Sequence, residues 1–290
     1  MSLVGELVTA VPKGLMKQVV GGADDGARYA HMLADLGQIG EGARPVVIQG
    51  GYSTSGYMYQ SLQELLRSVG FADVTATPLP LHGFASFQAD ARALRKVVEA
   101  ASTRSLAAGG DGLVTVVAHS KGGLTSRWML QHLEGVEHVG QLITLGSPHN
   151  GVAPLGTAAA RLSTIGPEFT GGRQLIAGSG IIHDLNRGFG AFMGQALSRN
   201  SDFRIVSIAG DVGGVMRGTD KLISNVGARL DPTIEGVANL VFQGEGANHL
   251  AIAAQTGAFE PTLRATALLA AGRPIADAAQ GARIVSGSLV

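Results

Sequence analysis

The sequence predicts an α/β protein whose mostly parallel central sheet is covered by helices on both faces. From Pro45 onward, short β-branched runs alternate with segments of helical periodicity. Strands separated in this way imply parallel crossover connections. Residues 113–117 form an apolar, β-branched run of the kind found in a strand buried on both faces. These two observations predict the fold class before any functional motif is considered.

The individual elements follow from the same periodicities. The predicted strands are residues 46–48, 72–77, 113–117, 139–145, 204–209 and 238–242. The predicted helices are residues 57–69, 86–101 and 121–133, with a final helix that opens near residue 249. Within 86–101, apolar side chains recur at helical spacing and predict one buried face: Phe87, Ala91, Leu94, Val98 and Ala101.

The same pattern suggests three regions along the chain. Residues 1–44 read as a helical extension with an apolar stripe, which Pro12 interrupts near its middle. Residues 45–275 form the predicted α/β domain, and residues 276–290 a C-terminal tail. Residues 153–200 are glycine-rich and lack a strand pattern. A long insertion between two sheet strands usually covers a site, so we expect a helical lid there.

Composition excludes several classes of function. The 290 residues include 22 basic and 22 acidic side chains and no cysteine. The balanced charge offers no electrostatic footprint for nucleic acid, and the absence of cysteine excludes disulfides and thiolate metal sites. No run of apolar residues reaches the length of a membrane span. The first residues lack the features of a signal peptide, which favours the cytoplasm by default, or secretion if a signal peptide has been removed.

The strongest local signal is the segment that ends the strand at residues 113–117 and contains Ser120. A serine between a buried strand and a helix is the setting of a nucleophile elbow, a sharp turn that exposes the hydroxyl above the sheet. The turn needs small neighbours, and Ala118 and Gly122 meet that need. The backbone amide of Lys121 then opens the helix and points toward a developing oxyanion. The alternative is a serine that only caps a helix.

Two further segments favour catalysis over capping. The loop after the strand at 46–48 is expected to donate a second oxyanion-hole N–H, from Gly51 first or from Tyr52. A phosphate-binding loop is excluded there, because Tyr57 and the residue after it stand where lysine and serine or threonine are required. His249 follows the strand at 238–242, where the histidine of a catalytic triad belongs in chain order.

The acid of the triad remains open among three aspartates between residue 209 and His249. Asp211 directly follows a strand. Asp220 leaves a comfortable length for the last strand and turn before His249. Asp231 is followed by a proline, which suits a turn or helix start. The sequence favours Asp220, with Asp211 as the alternative acid.

Several motifs in this order resemble bacterial lipases and related esterases of the α/β-hydrolase superfamily. The resemblance covers roughly residues 45–255, and Gln49 departs from it where many members carry histidine. The segments that carry it are Ala118-His119-Ser120-Lys121-Gly122-Gly123 at the elbow, Leu142-Ile143-Thr144-Leu145-Gly146-Ser147-Pro148-His149-Asn150-Gly151 after the next strand, Gly172-Arg173-Gln174-Leu175, Gly178-Ser179 and Leu185-Asn186 in the lid region, and Asn248-His249-Leu250.

The resemblance implies the α/β-hydrolase fold and an ester hydrolase with Ser120 as nucleophile, His249 as general base and Asp220 as acid. Its substrate would be a small-molecule or lipid ester, and its chemistry needs no metal or cofactor. An acyltransferase or thioesterase would use the same triad, and a non-catalytic binding protein could keep the fold. His119 and His149 are expected to pack or to form hydrogen bonds. The sequence leaves the oligomeric state and a structural calcium site open.

Overall fold

A computed structural model describes residues 30–52, 54–152, 170–254 and 259–285 of the chain. Within these ranges, seven strands form one sheet: β1 (Val46–Gln49), β2 (Val74–Thr77), β3 (Val114–His119), β4 (Val139–Leu145), β5 (Arg204–Asp211), β6 (Val237–Gln243) and β7 (Ala282–Ile284). Their order across the sheet is β2-β1-β3-β4-β5-β6-β7. The pairs from β2 to β6 are parallel and β7 is antiparallel to β6. The predicted fold class, a mostly parallel sheet with helices on both faces, is confirmed.

The helices in the same ranges connect these strands and cover both faces of the sheet. They are α1 (Ala30–Leu36), α2 (Gln60–Ser68), α3 (Phe87–Ala107), α4 (Lys121–His132), α5 (Thr170–Arg173), α6 (Gly180–Arg187), α7 (Phe189–Arg199), α8 (Asn225–Ala228), α9 (Glu260–Ala270) and α10 (Ile275–Ala278). None of them combines the length and the apolar character needed to cross a bilayer.

Two buried clusters fill the layers on either side of the sheet. Alternate side chains of one strand enter opposite clusters, because successive residues of a strand point to opposite faces. Thus Val46 and Ile48 pack on one side and Val47 on the other. Helices α1, α2 and α9 cover the first side, and α3, α4 and α7 cover the second. All residues of β3 and β4 are buried, so both faces of the sheet centre are covered.

The start, the buried face and the end of helix α3 can each be explained from its sequence. Ser86 precedes it and accepts a hydrogen bond at Oγ from the amide of Ala89 at 3.3 Å, which caps the helix start. The predicted apolar face is buried along its length. The helix continues to Ala107, six residues beyond the predicted end, because residues 102–107 contain neither glycine nor proline to stop it.

The C-terminal residues differ from the prediction. The predicted tail at 276–290 contains strand β7, whose Arg283 pairs with Val241 of β6. A strand of three residues with little periodicity gives almost no sequence signal, so the prediction missed it. At the other end, residues 1–29 of the predicted helical extension lie outside the described residues. Helix α1, which follows them, packs Met32 and Leu36 into the core.

The predicted lid at 153–200 divides into two parts. Residues 153–169 lie outside the described residues. Residues 170–199 form helices α5, α6 and α7, as the absence of a strand pattern indicated. Ile181 and Leu185 of α6 join a buried cluster with Leu124 of α4, next to the elbow. That these residues act as a lid stays a prediction.

Candidate active site

Ser120 lies at the junction of β3 and α4 in a strained backbone conformation. Its φ of 54° and ψ of −124° fall outside the regions that L-residues normally adopt. A hydrogen bond to the neighbouring strand helps to hold this conformation, since the Ser120 amide donates to the carbonyl oxygen of Leu145 at 2.9 Å. A Cβ atom on Gly122 would lie 2.5 Å from the carbonyl oxygen of Gly50. Only glycine fits there, which agrees with the small residue that the elbow interpretation requires.

His249 and Asp220 form a buried hydrogen-bonded pair. The Nδ1 atom of His249 lies 2.7 Å from Oδ2 of Asp220, and the His249 amide donates to the Asp220 carbonyl oxygen at 2.8 Å. The other carboxylate oxygen of Asp220 accepts the amides of Leu222 at 3.0 Å and Ile223 at 2.6 Å. Because a carboxylate only accepts, the neutral His249 ring carries its proton on Nδ1 and has a lone pair on Nε2.

The other two candidate acids form hydrogen bonds with residues of their own loops. Asp211 Oδ1 accepts the amides of Gly213 at 3.0 Å and Gly218 at 2.9 Å, so it shapes the loop that leads to Asp220. Asp231 accepts from the amide and the hydroxyl of Thr233 at 3.0 and 2.7 Å, and these hydrogen bonds lower its pKa. Asp220 is the one of the three that contacts His249.

The Asp220–His249 pair lies beside the elbow. A Cβ atom on Gly146 would lie 2.9 Å from Asp220 Oδ2 and 3.0 Å from His249 Nδ1, and Gly146 follows the residue whose carbonyl holds the Ser120 amide. On the other side, the ring centroids of His249 and His119 are 4.7 Å apart, and His119 directly precedes Ser120. The predicted nucleophile, base and acid therefore converge at the carboxyl ends of the central strands.

The amide of Gly51, the first of the two residues proposed from the sequence as a donor on the loop after β1, forms a hydrogen bond within the protein. The Gly51 amide donates to the Tyr59 hydroxyl at 2.8 Å, so it is not available to an oxyanion. Gly51 does lie against Ser120, since a Cβ atom on it would be 2.9 Å from Ser120 Cβ. Among the described residues, the amides of Tyr52 and Lys121 have no hydrogen-bond acceptor. Tyr52 is the alternative donor that the sequence predicts on the same loop.

The side chain of Lys121 is buried next to the loop that contains Gly83 and Ala85. Its ammonium donates to the carbonyl oxygens of Gly83 and Ala85 at 2.6 and 2.7 Å and lies 2.5 Å from Asp90 Oδ2. Burial lowers the pKa of Lys121 and raises the pKa of Asp90, and the attraction between the two groups opposes both shifts. Gly83 in turn packs on Tyr52, where a Cβ atom would be 3.1 Å from the Tyr52 Cα.

The two remaining histidines of the motifs form hydrogen bonds, as expected from the sequence. His119 Nδ1 lies 2.9 Å from the Tyr59 hydroxyl, and its Nε2 lies 2.9 Å from the carbonyl oxygen of His249. His149 Nε2 lies 3.0 Å from Thr144 Oγ1. Burial lowers the pKa of each ring well below its ordinary value.

Sequence reasoning missed Tyr59, Thr54 and Asp90. The first two follow β1, close to the glycine pair at residues 50 and 51, and hydroxyl groups near a glycine pair are the one signal that could have pointed to them. Asp90 faces inward on α3 among apolar positions, and a buried carboxylate on such a face requires a partner. Across the described ranges, no three or more His, Cys, Asp or Glu side chains gather in a way that could hold a metal ion.

Comparisons with known proteins agree with this architecture. Residues 45–184 match the palmitoyl protein thioesterase family. No curated protein sequence matches the chain significantly.

Several solved structures of lipases share the fold. The mature lipase of Bacillus licheniformis is 19% identical, with a TM-score of 0.52 over 73% of this chain and 87% of that one. A phospholipase from Legionella pneumophila is 14% identical, with a TM-score of 0.59 over 82% and 62% of the two chains. Lipase B of Aspergillus fumigatus is 18% identical, with a TM-score of 0.60 over 80% and 53%. The chain thus spans less than two thirds of the last two proteins, and at these identities the likeness concerns the fold.

Proposed function

The chain has the α/β-hydrolase fold, and on that premise we propose that it is a serine hydrolase that cleaves carboxylic acyl esters through an acyl-enzyme. The observation that carries the proposal is the buried Asp220–His249 pair at 2.7 Å beside the strained Ser120. A helix cap needs neither the strain nor the pair. Strain of this kind persists only where the surrounding structure enforces it and is typical of functional sites.

The proposed reaction follows from the proton positions. Nε2 of His249 takes the hydroxyl proton of Ser120 while Oγ attacks the ester carbonyl, and it then gives this proton to the leaving alcohol. Asp220 keeps the Nδ1–H tautomer in place and stabilises the imidazolium that forms. A water molecule repeats the sequence on the acyl-enzyme and releases the acid. Each step uses groups of this chain, the substrate and water alone.

The oxyanion of the tetrahedral intermediate would be held by backbone amides. The Lys121 amide opens α4, where the helix dipole adds positive potential. The Tyr52 amide is the second donor in this proposal, because the Gly51 amide is already bonded to Tyr59. Each such donor typically contributes about 3 kcal/mol to transition-state stabilisation.

The substrate class is inferred from the apolar surroundings of the elbow. Phe87, Ile181 and Leu185 pack near Leu124, the fourth residue of the helix that Ser120 opens. These side chains belong to a buried core cluster, and an apolar acyl chain, as in a lipid or long-chain ester, would be easier to accommodate beside such a cluster than a charged one. Residues 153–200 would act as the lid over this chain.

Thioester hydrolysis is the second candidate function. It is favoured by the match of residues 45–184 to the palmitoyl protein thioesterase family. The same triad can transfer the acyl group to water, an alcohol or a thiol, so the geometry of the triad does not separate these reactions.

Hydrolysis of p-nitrophenyl esters from acetate to palmitate, with wild type and Ser120→Ala, tests the proposal. We expect activity that is lost in the variant, together with covalent labelling of wild type by a fluorophosphonate probe at Ser120. Palmitoyl-coenzyme A hydrolysis, measured in parallel with a thiol reagent, compares the two functions. Full activity in Ser120→Ala would contradict the proposal.

A further inference from the structure

We propose that Thr54, Tyr59 and His119 are positioning residues that aim the Tyr52 amide at the oxyanion and link it to the backbone of His249. The inference deepens the proposed function and rests on it. Its starting point is Gly51, whose amide and carbonyl are both held by side-chain hydroxyl groups, those of Tyr59 and Thr54.

The Thr54 hydroxyl fixes the orientation of the peptide that joins Gly51 to Tyr52. It donates to the Gly51 carbonyl oxygen at 2.8 Å. In a trans peptide the C=O and the N–H of the next residue point in opposite directions. The Tyr52 N–H is therefore turned away from Thr54. This peptide runs beside the nucleophile, since a Cβ atom on Gly51 would lie 2.9 Å from Ser120 Cβ.

The Tyr59 hydroxyl holds the other peptide group of Gly51 and continues to His119. It accepts the Gly51 amide at 2.8 Å and lies 2.9 Å from His119 Nδ1. His119 Nε2 lies 2.9 Å from the His249 carbonyl oxygen, which can only accept, so Nε2 carries a proton. Burial lowers the pKa of His119 well below its ordinary value, so the ring is neutral and Nδ1 accepts. Tyr59 therefore donates its proton to Nδ1.

These assignments give one directed chain of hydrogen bonds from Gly51 through Tyr59 and His119 to His249. Tyr59 could instead donate to Thr54 Oγ1, but that distance is longer, at 3.4 Å. The two side chains in this series of hydrogen bonds are shielded from solvent, with Tyr59 at 0% and His119 at 2% exposure. Buried networks of this kind are rigid when every member is satisfied. The donor peptide and the backbone of the general base are thus held by one structure.

A role in packing alone would predict a different kinetic result from a role in aiming the donor. Loss of packing would loosen the whole site and alter ground-state binding, stability and turnover together. A misaimed oxyanion donor weakens an interaction that forms only in the transition state, so kcat falls while KM is kept. A trifluoromethyl ketone, whose adduct with the serine carries the same oxyanion, would lose affinity in proportion.

The test compares Tyr59→Phe and Thr54→Val with wild type on p-nitrophenyl butyrate and with a trifluoromethyl ketone inhibitor. Removal of a whole oxyanion donor costs on the order of 10²- to 10³-fold in kcat. For a misaimed donor we expect a fall in kcat of about 10- to 100-fold, KM within about twofold, and a rise in the inhibition constant by the same factor as the fall in kcat. Thr103→Val is the matched control for Thr54→Val, because this exposed threonine of α3 donates to the Glu99 carbonyl oxygen, and the variant should keep wild-type kcat.

A double variant that combines Tyr59→Phe with His119→Gln tests whether the two residues act together. Members of one network give non-additive effects, so the double variant should lose little more kcat than the worse single variant. Wild-type kcat and inhibition constant in both Tyr59→Phe and Thr54→Val would overturn the inference, as would a fall in kcat with an unchanged inhibition constant. Wild type that neither cleaves esters nor reacts with a fluorophosphonate would overturn the proposed function and this inference together.

Discussion

The ammonium nitrogen of Lys121 lies 2.5 Å from Oδ2 of Asp90, and neither side chain is exposed to solvent. Two further carbonyl oxygens, of Gly83 and Ala85, complete the surroundings of the ammonium. A buried pair of this kind gains little net stability over apolar residues, but it is costly to break from one side. Through the two carbonyl oxygens, the ammonium group connects Lys121, the residue after Ser120, to the loop around Gly83 that packs on Tyr52.

Breaking this pair from one side should therefore destabilise the fold strongly. Lys121→Met leaves the Asp90 carboxylate buried without a partner, and we expect a loss of about 3–5 kcal/mol in the free energy of unfolding. Urea unfolding followed by circular dichroism measures it. A double variant with Asp90→Leu removes both charges and should be more stable than Lys121→Met alone. Additive losses in the double variant would contradict this account.

Replacing Asp220 should affect catalysis far more than replacing Asp211. Asp220→Asn keeps the shape of the side chain but can no longer hold the Nδ1–H tautomer of His249, and we expect kcat to fall by up to about 10⁴-fold. Asp211→Asn is the matched control, since Asp211 contacts the loop and not His249. Ester hydrolysis with both purified variants checks this, and equal losses would remove the distinction between the two acids.

The strained backbone of Ser120 should lower the free energy of unfolding, and replacing Ser120 with glycine should recover part of it. Ser120→Gly relieves a conformation that costs a non-glycine residue about 1–3 kcal/mol. It also gives the unfolded chain more freedom, so the net gain should be smaller, about 1 kcal/mol. Ser120→Ala keeps the strain and serves as the control. Thermal unfolding should rank Ser120→Gly above Ser120→Ala, although neither variant would hydrolyse esters.

The buried neutral His149 should make stability depend on pH. Its pKa in the folded protein is well below the ordinary value because of burial, with a further contribution from the positive charge of Arg127. Below about pH 6.5 the unfolded chain binds a proton that the native protein does not, so stability falls as the pH falls. The slope for one such histidine is about 1.4 kcal/mol per pH unit.

His149→Gln removes that contribution and keeps a partner for the Thr144 hydroxyl. Unfolding free energies from urea titrations between about pH 5 and 7 should show a shallower decline in the variant than in wild type. Identical slopes would mean that His149 is protonated in the folded protein or titrates equally in both states.

The strands could be predicted because burial on both faces makes their sequences apolar, as in β3 and β4. The elbow could be predicted because small residues two positions before and after a serine, here Ala118 and Gly122, form a local sequence pattern. The structure shows why Gly122 is needed, since backbone oxygens of Gln49 and Gly50 lie within 3 Å of a Cβ atom there. The order of preference among the three aspartates came from their immediate neighbours, from the chain length left before His249 and from the resemblance of the Asp220 segment to the lipases, and the structure brings the favoured Asp220 to His249.

The contacts of Tyr59 with His119 and of Lys121 with Asp90 could not be predicted, because the two partners of each contact are far apart in sequence. Tyr59 and His119 are separated by 60 residues, and Lys121 and Asp90 by 31. Nothing in either local pattern specifies the partner. The choice between Gly51 and Tyr52 as oxyanion donor could not be made from the sequence either, since a glycine pair does not indicate which of its amides another side chain occupies.

Strand β7 has a consequence for how the protein behaves in concentrated solution. It is short, and its antiparallel pairing covers the open edge of β6, the strand that leads to His249. An uncovered parallel edge of seven residues would offer a template for pairing with another copy of the chain. The outward Arg283 and the brevity of β7 make the new edge a poor one for such pairing. Deletion of residues 282–290 should therefore promote aggregation, seen as a larger scattering signal at high concentration, before it affects the chemistry at Ser120.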